Sequence, residues 1–334
     1  MRVLVVKTSS MGDVIHTLPA LTDAIMAIPG IRFDWVVEEG FAEVPAWHPA
    51  VERVVPVALR RWRKSPLGAI RSGEWGRFRH ALRVTDYDAV IDAQGLLKSA
   101  VLVTRAARGP KFGLDRASAR EPLASRFYDR PLAVAKGQHA VERVRQLFAQ
   151  ALGYDVPEGM GSYGIAGHFP ARPGVTPSLV FLHGTTRHEK HWPEDYWQEL
   201  IAIATSVGWQ IKLPWGNEAE RARAERLATS SPFVEVLPRL RLGEVAQLLA
   251  DASGVVSVDT GLSHLAAALG RPNVVLFGPT EPGLVGGYGE CQTCLKAAHF
   301  PAVERGTDPA VFAPLTPDIV WSHLRAIAEQ PKGS

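Results

Sequence analysis

Short apolar runs alternate along this chain with longer stretches whose apolar residues recur at helical spacing. In the first half, residues 2–6, 33–37, 53–57 and 89–92 read as strands, with a weaker one at 132–134. Residues 141–152 place Val141, Val144, Leu147, Phe148, Ala151 and Leu152 on one face of a helix. The pattern restarts at 179–183 and continues with strands at 210–213, 233–236, 254–258 and 273–277. A last amphipathic helix over 318–329 carries Ile319, Val320, Leu324 and Ile327 together, with Thr316-Pro317 before it and Pro331 after it. Strands that alternate with helices in this way predict the α/β class and a doubly wound parallel sheet. Between the halves, 153–177 is dense in Gly and Pro, which marks an interdomain linker. No short-period repeat or low-complexity tract interrupts the pattern.

Two strand ends run directly into helix starts with small, hydroxyl and acidic residues at the junction. Strand 2–6 is followed by Lys7-Thr8-Ser9-Ser10-Met11-Gly12-Asp13, and strand 254–258 by Asp259-Thr260-Gly261-Leu262-Ser263-His264. In open α/β sheets ligands bind at this edge, where backbone N–H groups and the positive helix end face a crevice. Two such edges predict two facing domains with the chemistry between them. Asp13, in the first helical turn, can cap exposed N–H groups or serve as a general base aimed at a ligand. Ser9, Ser10 and Gly12 would let that ligand approach the backbone, and His16 lies on the same helical face. At the second junction the helix start and the Thr260 hydroxyl suit a pyrophosphate, whereas the plainer alternative makes Asp259 an N-cap and His264 a core residue.

Thr185, Thr186 and Lys190 follow strand 179–183, and hydroxyls with a lysine at a strand end suit phosphate. His188-Glu189-Lys190-His191 is not a metalloprotease signature, because its histidines are three apart rather than four. Arg60-Arg61-Trp62-Arg63-Lys64 is either a solvated basic loop or a patch for a multiply anionic partner, be it an acidic or phosphorylated sugar at a membrane face or a nucleic acid. Lys98, Arg120 and His139 are further polar candidates in the same half. Cys291 and Cys294 lack a second pair and read as unrelated thiols rather than a zinc site. Neither a dinucleotide fingerprint nor a P-loop occurs, which argues against classical dehydrogenases and P-loop ATPases.

Composition narrows the class further. A chain of 334 residues is long enough for two domains of about 100–200 residues each. Its 46% hydrophobic and 21% charged residues are those of a globular protein with substantial cores. Two cysteines fit a reducing compartment. The N-terminal apolar run turns polar after residue 6, too early for a signal-peptide core, so a cytoplasmic protein is expected. The net charge of +3 does not itself argue for nucleic acid, and the basic residues concentrate in the first half.

Taken in order, 1–13, 34–41 (DWVVEEGF), 92–95 (DAQG), 120–125 (REPLAS), 190–193 (KHWP), 213–216 (LPWG), 259–264 (DTGLSH), 278–280 (GPT) and 282–284 (PGL) resemble the ADP-heptose:lipopolysaccharide heptosyltransferases, and within them the branch that adds the first heptose. The resemblance implies a GT-B glycosyltransferase with two facing Rossmann-like domains. An acceptor domain would span 1–165, an ADP-sugar domain 166–315, and a helix in 316–334 would pack back toward the first. It implies inverting transfer of L-glycero-D-manno-heptose from ADP-heptose to the inner 3-deoxy-D-manno-octulosonic acid (Kdo) of Kdo-lipid A. The family's base maps onto Asp13, and its donor contacts onto Thr185, Thr186, Lys190, Glu220, Asp259, Thr260, Gly261 and His264. Ser9, Ser10, Gly12, Arg60, Arg61, Arg63, Lys64, Lys98, Arg120 and His139 are then the acceptor-side candidates. No cofactor and no metal are expected, ADP-heptose being a co-substrate. A monomer with no nucleic-acid partner is expected, in the cytoplasm or peripheral on the cytoplasmic face of the inner membrane. The alternatives are another nucleotide-sugar transferase or epimerase of this architecture, and a non-catalytic module that binds lipid A or phosphate.

Overall fold

The computed structural model describes residues 1–328; Glu329 and Pro331, at the expected end of the last helix, lie outside the described residues. The chain divides into two compact units, Met1–Ile165 and Ala166–Ser334.

The first unit is built on β1 (Arg2–Val6), β2 (Arg32–Glu38), β3 (Val51–Val57), β4 (Ala89–Asp92), β5 (Lys111–Leu114) and β6 (Arg130–Leu132) in the order β3-β2-β1-β4-β5-β6. Every pairing is parallel. Val3, Leu4, Val5 and Val6 are fully buried because helices cover both faces of the sheet, which is why β1 reads as a continuous apolar run. β5 escapes the apolar pattern, as Lys111 and Gly113 interrupt it. Gly113 is needed there: a Cβ would lie 2.3 Å from the Tyr128 ring. The weak strand expected at 132–134 is displaced to Arg130–Leu132, where it pairs with β5.

The helix Ala140–Leu152 packs on Leu18–Ala27. Its Arg145 is buried and donates to Asp23 Oδ2 at 2.6 Å and to the carbonyls of Pro157 and Gly159. This guanidinium therefore ties the start of the Gly/Pro-rich stretch to the first unit. A buried ion pair is costly unless its remaining donors are satisfied, and these carbonyls satisfy them.

The second unit repeats the plan with β7 (Ser178–Leu182), β8 (Gln210–Leu213), β9 (Val234–Val236), β10 (Gly254–Val258), β11 (Asn273–Phe277) and β12 (Gln292–Lys296) in the order β12-β11-β10-β7-β8-β9, again all parallel. β12 is an edge strand of mixed polarity, so no apolar run announces it. The core centres on Phe181, Trp192, Tyr196 and Trp197, with Trp192 meeting Trp197 edge-on at 5.0 Å between ring centroids. Trp192 and Tyr196 donate to the carbonyls of Leu315 and Ala313, which anchors the approach to the last helix, Pro317–Ala328. That helix, the described part of the segment expected to pack toward the first domain, buries Val320 and Leu324 in the second unit's own core. Gly254 on β10 makes room, since a Cβ there would sit 3.1 Å from Leu324 Cδ1. Among the described residues no helix is long and apolar enough to cross a membrane.

Candidate functional site

Each sheet has one place where the strand order reverses. In the first unit β1 lies beside both β2 and β4, so the chain leaves β1 toward one side and β4 toward the other. In the second unit the same happens between β7 and β10. Loops diverge at such a switch point and leave a crevice beyond the carboxyl ends of the strands. Both junctions singled out by their polar residues sit at these points.

In the first unit the loop after β1 is gripped from β4. Gln94 Oε1 accepts the Thr8 and Ser9 N–H groups at 2.8 and 3.1 Å and the Thr8 hydroxyl at 3.2 Å. Gln94 is held in turn by buried Asp92, whose Oδ1 accepts the Gln94 and Gly95 N–H groups while its Oδ2 accepts the Thr104 hydroxyl. Burial pushes the Asp92 carboxyl above its ordinary range, and these hydrogen bonds oppose the shift.

The loop then delivers Asp13 in the helix Met11–Ile15. Asp13 Oδ2 accepts the Ser10 N–H at 2.7 Å and the Ser10 hydroxyl at 2.8 Å, so the capping alternative is realised. The other oxygen, Oδ1, lies 3.8 Å from the Lys7 ammonium. The side chain remains 42% exposed, so capping and access to a ligand coexist. Lys7 is buried, donates to the Ala93 carbonyl at 2.9 Å, and has its pKa lowered by burial against the pull of Asp13 and Asp92.

The remaining first-unit candidates are dispersed. Arg60 lies over the Phe41 ring at 5.6 Å, and Arg61 is committed to Glu39 and Glu74. Arg63, Lys64 and Lys98 are exposed. Arg120 adjoins the Gly95 turn, since Glu121 N–H donates to Gly95 O. Gly12 is buried in the first helical turn. His139 caps Ala140–Leu152 through Nδ1 and stands edge-on to His16 at 5.3 Å.

In the second unit the ends of four neighbouring strands converge. Asp259, just past β10, accepts from Lys190 Nζ at 2.5 Å and from the Thr280 hydroxyl at 2.9 Å, both through Oδ2. The Thr185 hydroxyl reaches the Asp259 carbonyl at 3.4 Å, and Thr186 is exposed beside it. Thr260 is the N-cap of the helix Gly261–Ala268, with extended backbone and its carbonyl accepting from Ser263. The helix N-terminus thus opens next to an ammonium that a carboxylate already orients, a combination suited to a diphosphate. His264 is buried in that helix. Glu220 accepts the Gly216 N–H at 2.7 Å and lies so close to Gly184 that a Cβ there would meet its carboxyl carbon at 2.8 Å. Glu220 is therefore at the end of β7 beside Thr185, one strand over from Asp259.

Residues 188–190 form a single 3-10 turn, with His188 near Asp308 and His191 bonded to Arg223, so the two imidazoles serve different partners. Among the described residues no group of three or more His, Cys, Asp or Glu side chains is arranged to hold a metal. Cys291 and Cys294 are both free thiols. Lys7, Gln94 and Thr280 are the residues to which sequence reasoning gave no role. Each lies at or just beyond the end of a buried strand and within a segment that carries the family resemblance, but neither signal assigns a role.

Comparison with known proteins bears on what these edges do. Residues 75–310 match the family glycosyltransferase family 9 (heptosyltransferase). The chain is 56% identical to lipopolysaccharide heptosyltransferase 1 of Pseudomonas aeruginosa over 99% of each chain. Its structure superposes on Escherichia coli heptosyltransferase WaaC with ADP at a TM-score of 0.92, with 56% identity, covering 98% of this chain and 100% of that one. The same enzyme with ADP-2-deoxy-2-fluoro heptose gives a TM-score of 0.89 at 55% identity, over 98% and 99%.

Proposed function

The chain belongs to glycosyltransferase family 9, the heptosyltransferases, and from that premise we propose that it transfers L-glycero-D-manno-heptose from ADP-heptose to the inner Kdo of Kdo-lipid A. The observation that carries the donor side is the Lys190–Asp259 pair beside the start of the helix Gly261–Ala268. The pair orients the Lys190 ammonium beside the helix N–H groups at a sheet switch point, and ADP or an ADP-heptose analogue is what the similar Escherichia coli enzyme holds.

On this reading Lys190, Thr185, Thr186, Thr260 and the amides from Gly261 receive the diphosphate. Glu220 meets the adenosine ribose, and Asp259 and His264 orient the sugar end. On the acceptor side Asp13 is the base. Its Oδ1 takes the proton of the acceptor hydroxyl as that oxygen bonds to the anomeric carbon. The bond from that carbon to the ADP phosphate oxygen breaks on the opposite side, so ADP leaves with the electron pair and the configuration inverts. The Ser10 contacts to Oδ2 fix the carboxylate in place while leaving Oδ1 available. Charge developing on the leaving diphosphate is met by Lys190 and the helix N-terminus, so transfer needs no divalent ion. Arg60, Arg63, Lys64, Lys98 and Arg120 supply cations for the acceptor's carboxylates and phosphates. The protein acts as a monomer at the cytoplasmic face of the membrane that carries this lipid acceptor.

Incubation with ADP-heptose and Kdo-lipid A, with and without chelator, tests the proposal. Release of ADP together with an acceptor heavier by one heptose, unaffected by chelator, is expected. No transfer, transfer lost with chelator, or equal use of a UDP-sugar would overturn it.

A further inference from the structure

The loop that follows β7 is sparsely held. Thr185 and Thr186 make no backbone–backbone hydrogen bond among the described residues, and the Thr185 hydroxyl makes a long contact, 3.4 Å to the Asp259 carbonyl. Gly184 brings no side chain to the loop, because a Cβ there would meet the Glu220 carboxyl carbon at 2.8 Å. Donors that receive a diphosphate act best when they are fixed before the ligand arrives, so something else must hold this loop.

A cluster that no step above uses stands against it. Arg223, on the helix Glu218–Ala228, bonds through Nη1 to His191 Nδ1 at 2.8 Å and pairs through Nε with Glu194 at 3.2 Å. Glu194 is held in turn by Arg226, whose Nε donates to it at 2.9 Å. A guanidinium has donors only, so His191 Nδ1 is the acceptor and Nε2 carries the ring proton. The backbones of His183 and Thr185 lie within hydrogen-bonding range of this ring, and Nε2–H is the donor left for their carbonyls. Burial and the Arg223 charge push the His191 pKa down, which keeps the ring in this one-proton form. The neighbouring imidazoles offer no substitute. His183 is buried with neither ring nitrogen bonded, and His188 is exposed beside Asp308.

We infer that His191 is a positioning residue: fixed by Arg223 through Nδ1, it holds the peptide after β7 through Nε2–H and so sets Thr185 and Thr186 for the donor diphosphate. The inference rests on the donor reading above and adds to it a residue that acts through the loop. The plainer alternative confines His191 to satisfying a largely buried Arg223.

Two variants separate these roles, because each keeps one half of the imidazole. His191→Gln places an amide N–H where Nε2–H stands and loses the acceptor at Nδ1, whereas His191→Asn keeps an acceptor for Arg223 and cannot reach the loop. Calorimetric titration of the full chain with ADP should show His191→Asn weakened about tenfold and His191→Gln within about threefold of the parent. In steady-state transfer the donor KM should rise in the same order, while the acceptor KM stays within about twofold, since the acceptor candidates lie in the first unit. His191→Asn, with Arg223 still satisfied, should unfold within about 3 °C of the parent, so that its loss of affinity is not a loss of fold. The purely structural alternative predicts the reverse order, His191→Gln impaired and His191→Asn normal. That order, equal losses in the two variants, or ADP binding by His191→Asn within about threefold of the parent would each overturn the inference while leaving the donor reading intact. A parent that binds no ADP would instead overturn the donor reading, and this inference with it.

Discussion

Replacing Gln94 by methionine keeps the length of the side chain and removes its acceptor oxygen. Three donors lose their partner: the Thr8 N–H at 2.8 Å, the Ser9 N–H at 3.1 Å and the Thr8 hydroxyl at 3.2 Å. A fully buried orphaned donor costs about 1–3 kcal/mol, and this loop is only partly buried, so about 1 kcal/mol for each backbone N–H applies. The hydroxyl can turn to water. A loss of about 2 kcal/mol in loop placement corresponds to a factor of about 30 in the population that presents Asp13 correctly. Steady-state ADP release should therefore show kcat reduced about 10–30-fold. The donor KM should stay within about twofold, because every proposed donor contact comes from the second unit. Gln94→Glu retains acceptor oxygens in the same place and should recover most of the rate, which a merely structural lesion would not. A Gln94→Met enzyme with near-normal kcat, or one whose donor KM rises in step with the loss, would refute the claim that Gln94 positions the base.

Three further outcomes follow from the same geometry. Lys190→Ala removes the charge facing the proposed diphosphate and should weaken ADP binding about 10–100-fold by calorimetry; an unchanged affinity would reassign the lysine. His183 is buried with neither ring nitrogen hydrogen-bonded, and burial together with the Arg223 charge pushes its pKa down to about 3. Between pH 6.5 and 3 the unfolded chain thus binds a proton that the folded chain excludes, so stability falls as pH drops through that window. Denaturation at pH 6.5 and 4.5 should show the parent losing about 2–3 kcal/mol more than His183→Leu, and parallel losses would contradict the assignment. Leu324→Ala, in the core of the second unit, should cost about 2–5 kcal/mol of unfolding free energy; a loss under about 1 kcal/mol would mean that the last helix is not part of that core.

The strands most sharply legible in the sequence were those buried on both faces, although the partly buried β3, β8 and β9 were read as strands too. Residues 2–6, 89–92, 254–258 and 273–277 occupy β1, β4, β10 and β11 with the same bounds, because two-sided burial favours a largely apolar run. β8, at 210–213, was legible from the alternation of buried Ile211 and Leu213 with more exposed Gln210 and Lys212. β5 and β12 were not legible. Gly113 yields to the Tyr128 ring, and Gln292, Thr293 and Lys296 belong to a half-exposed edge. The site divides in a similar way. Thr185, Asp259, Thr260 and Asp13 stand out because a hydroxyl or carboxylate directly after an apolar strand is at a sheet edge whatever the topology. Gln94 and Thr280 act on other strands' loops. Gln94 reaches Thr8 across 86 positions of sequence because β4 lies beside β1, a neighbourhood that one-dimensional patterning does not specify. Likewise the neutralisation of Arg61 depends on Glu39 and Glu74 arriving from two other elements, so the basic run 60–64 reads as more uniformly available than it is.

Transfer turns on the Asp13 carboxylate accepting the proton of the acceptor hydroxyl. Asp13→Asn keeps the shape of the side chain and an oxygen for Ser10 but lacks a basic oxygen for the acceptor. Single-turnover transfer from ADP-heptose should fall about 10²–10⁴-fold while ADP affinity stays within about twofold. Transfer by Asp13→Asn at a rate near that of the parent would contradict the account, because Asp13 would then be a helix cap and nothing more.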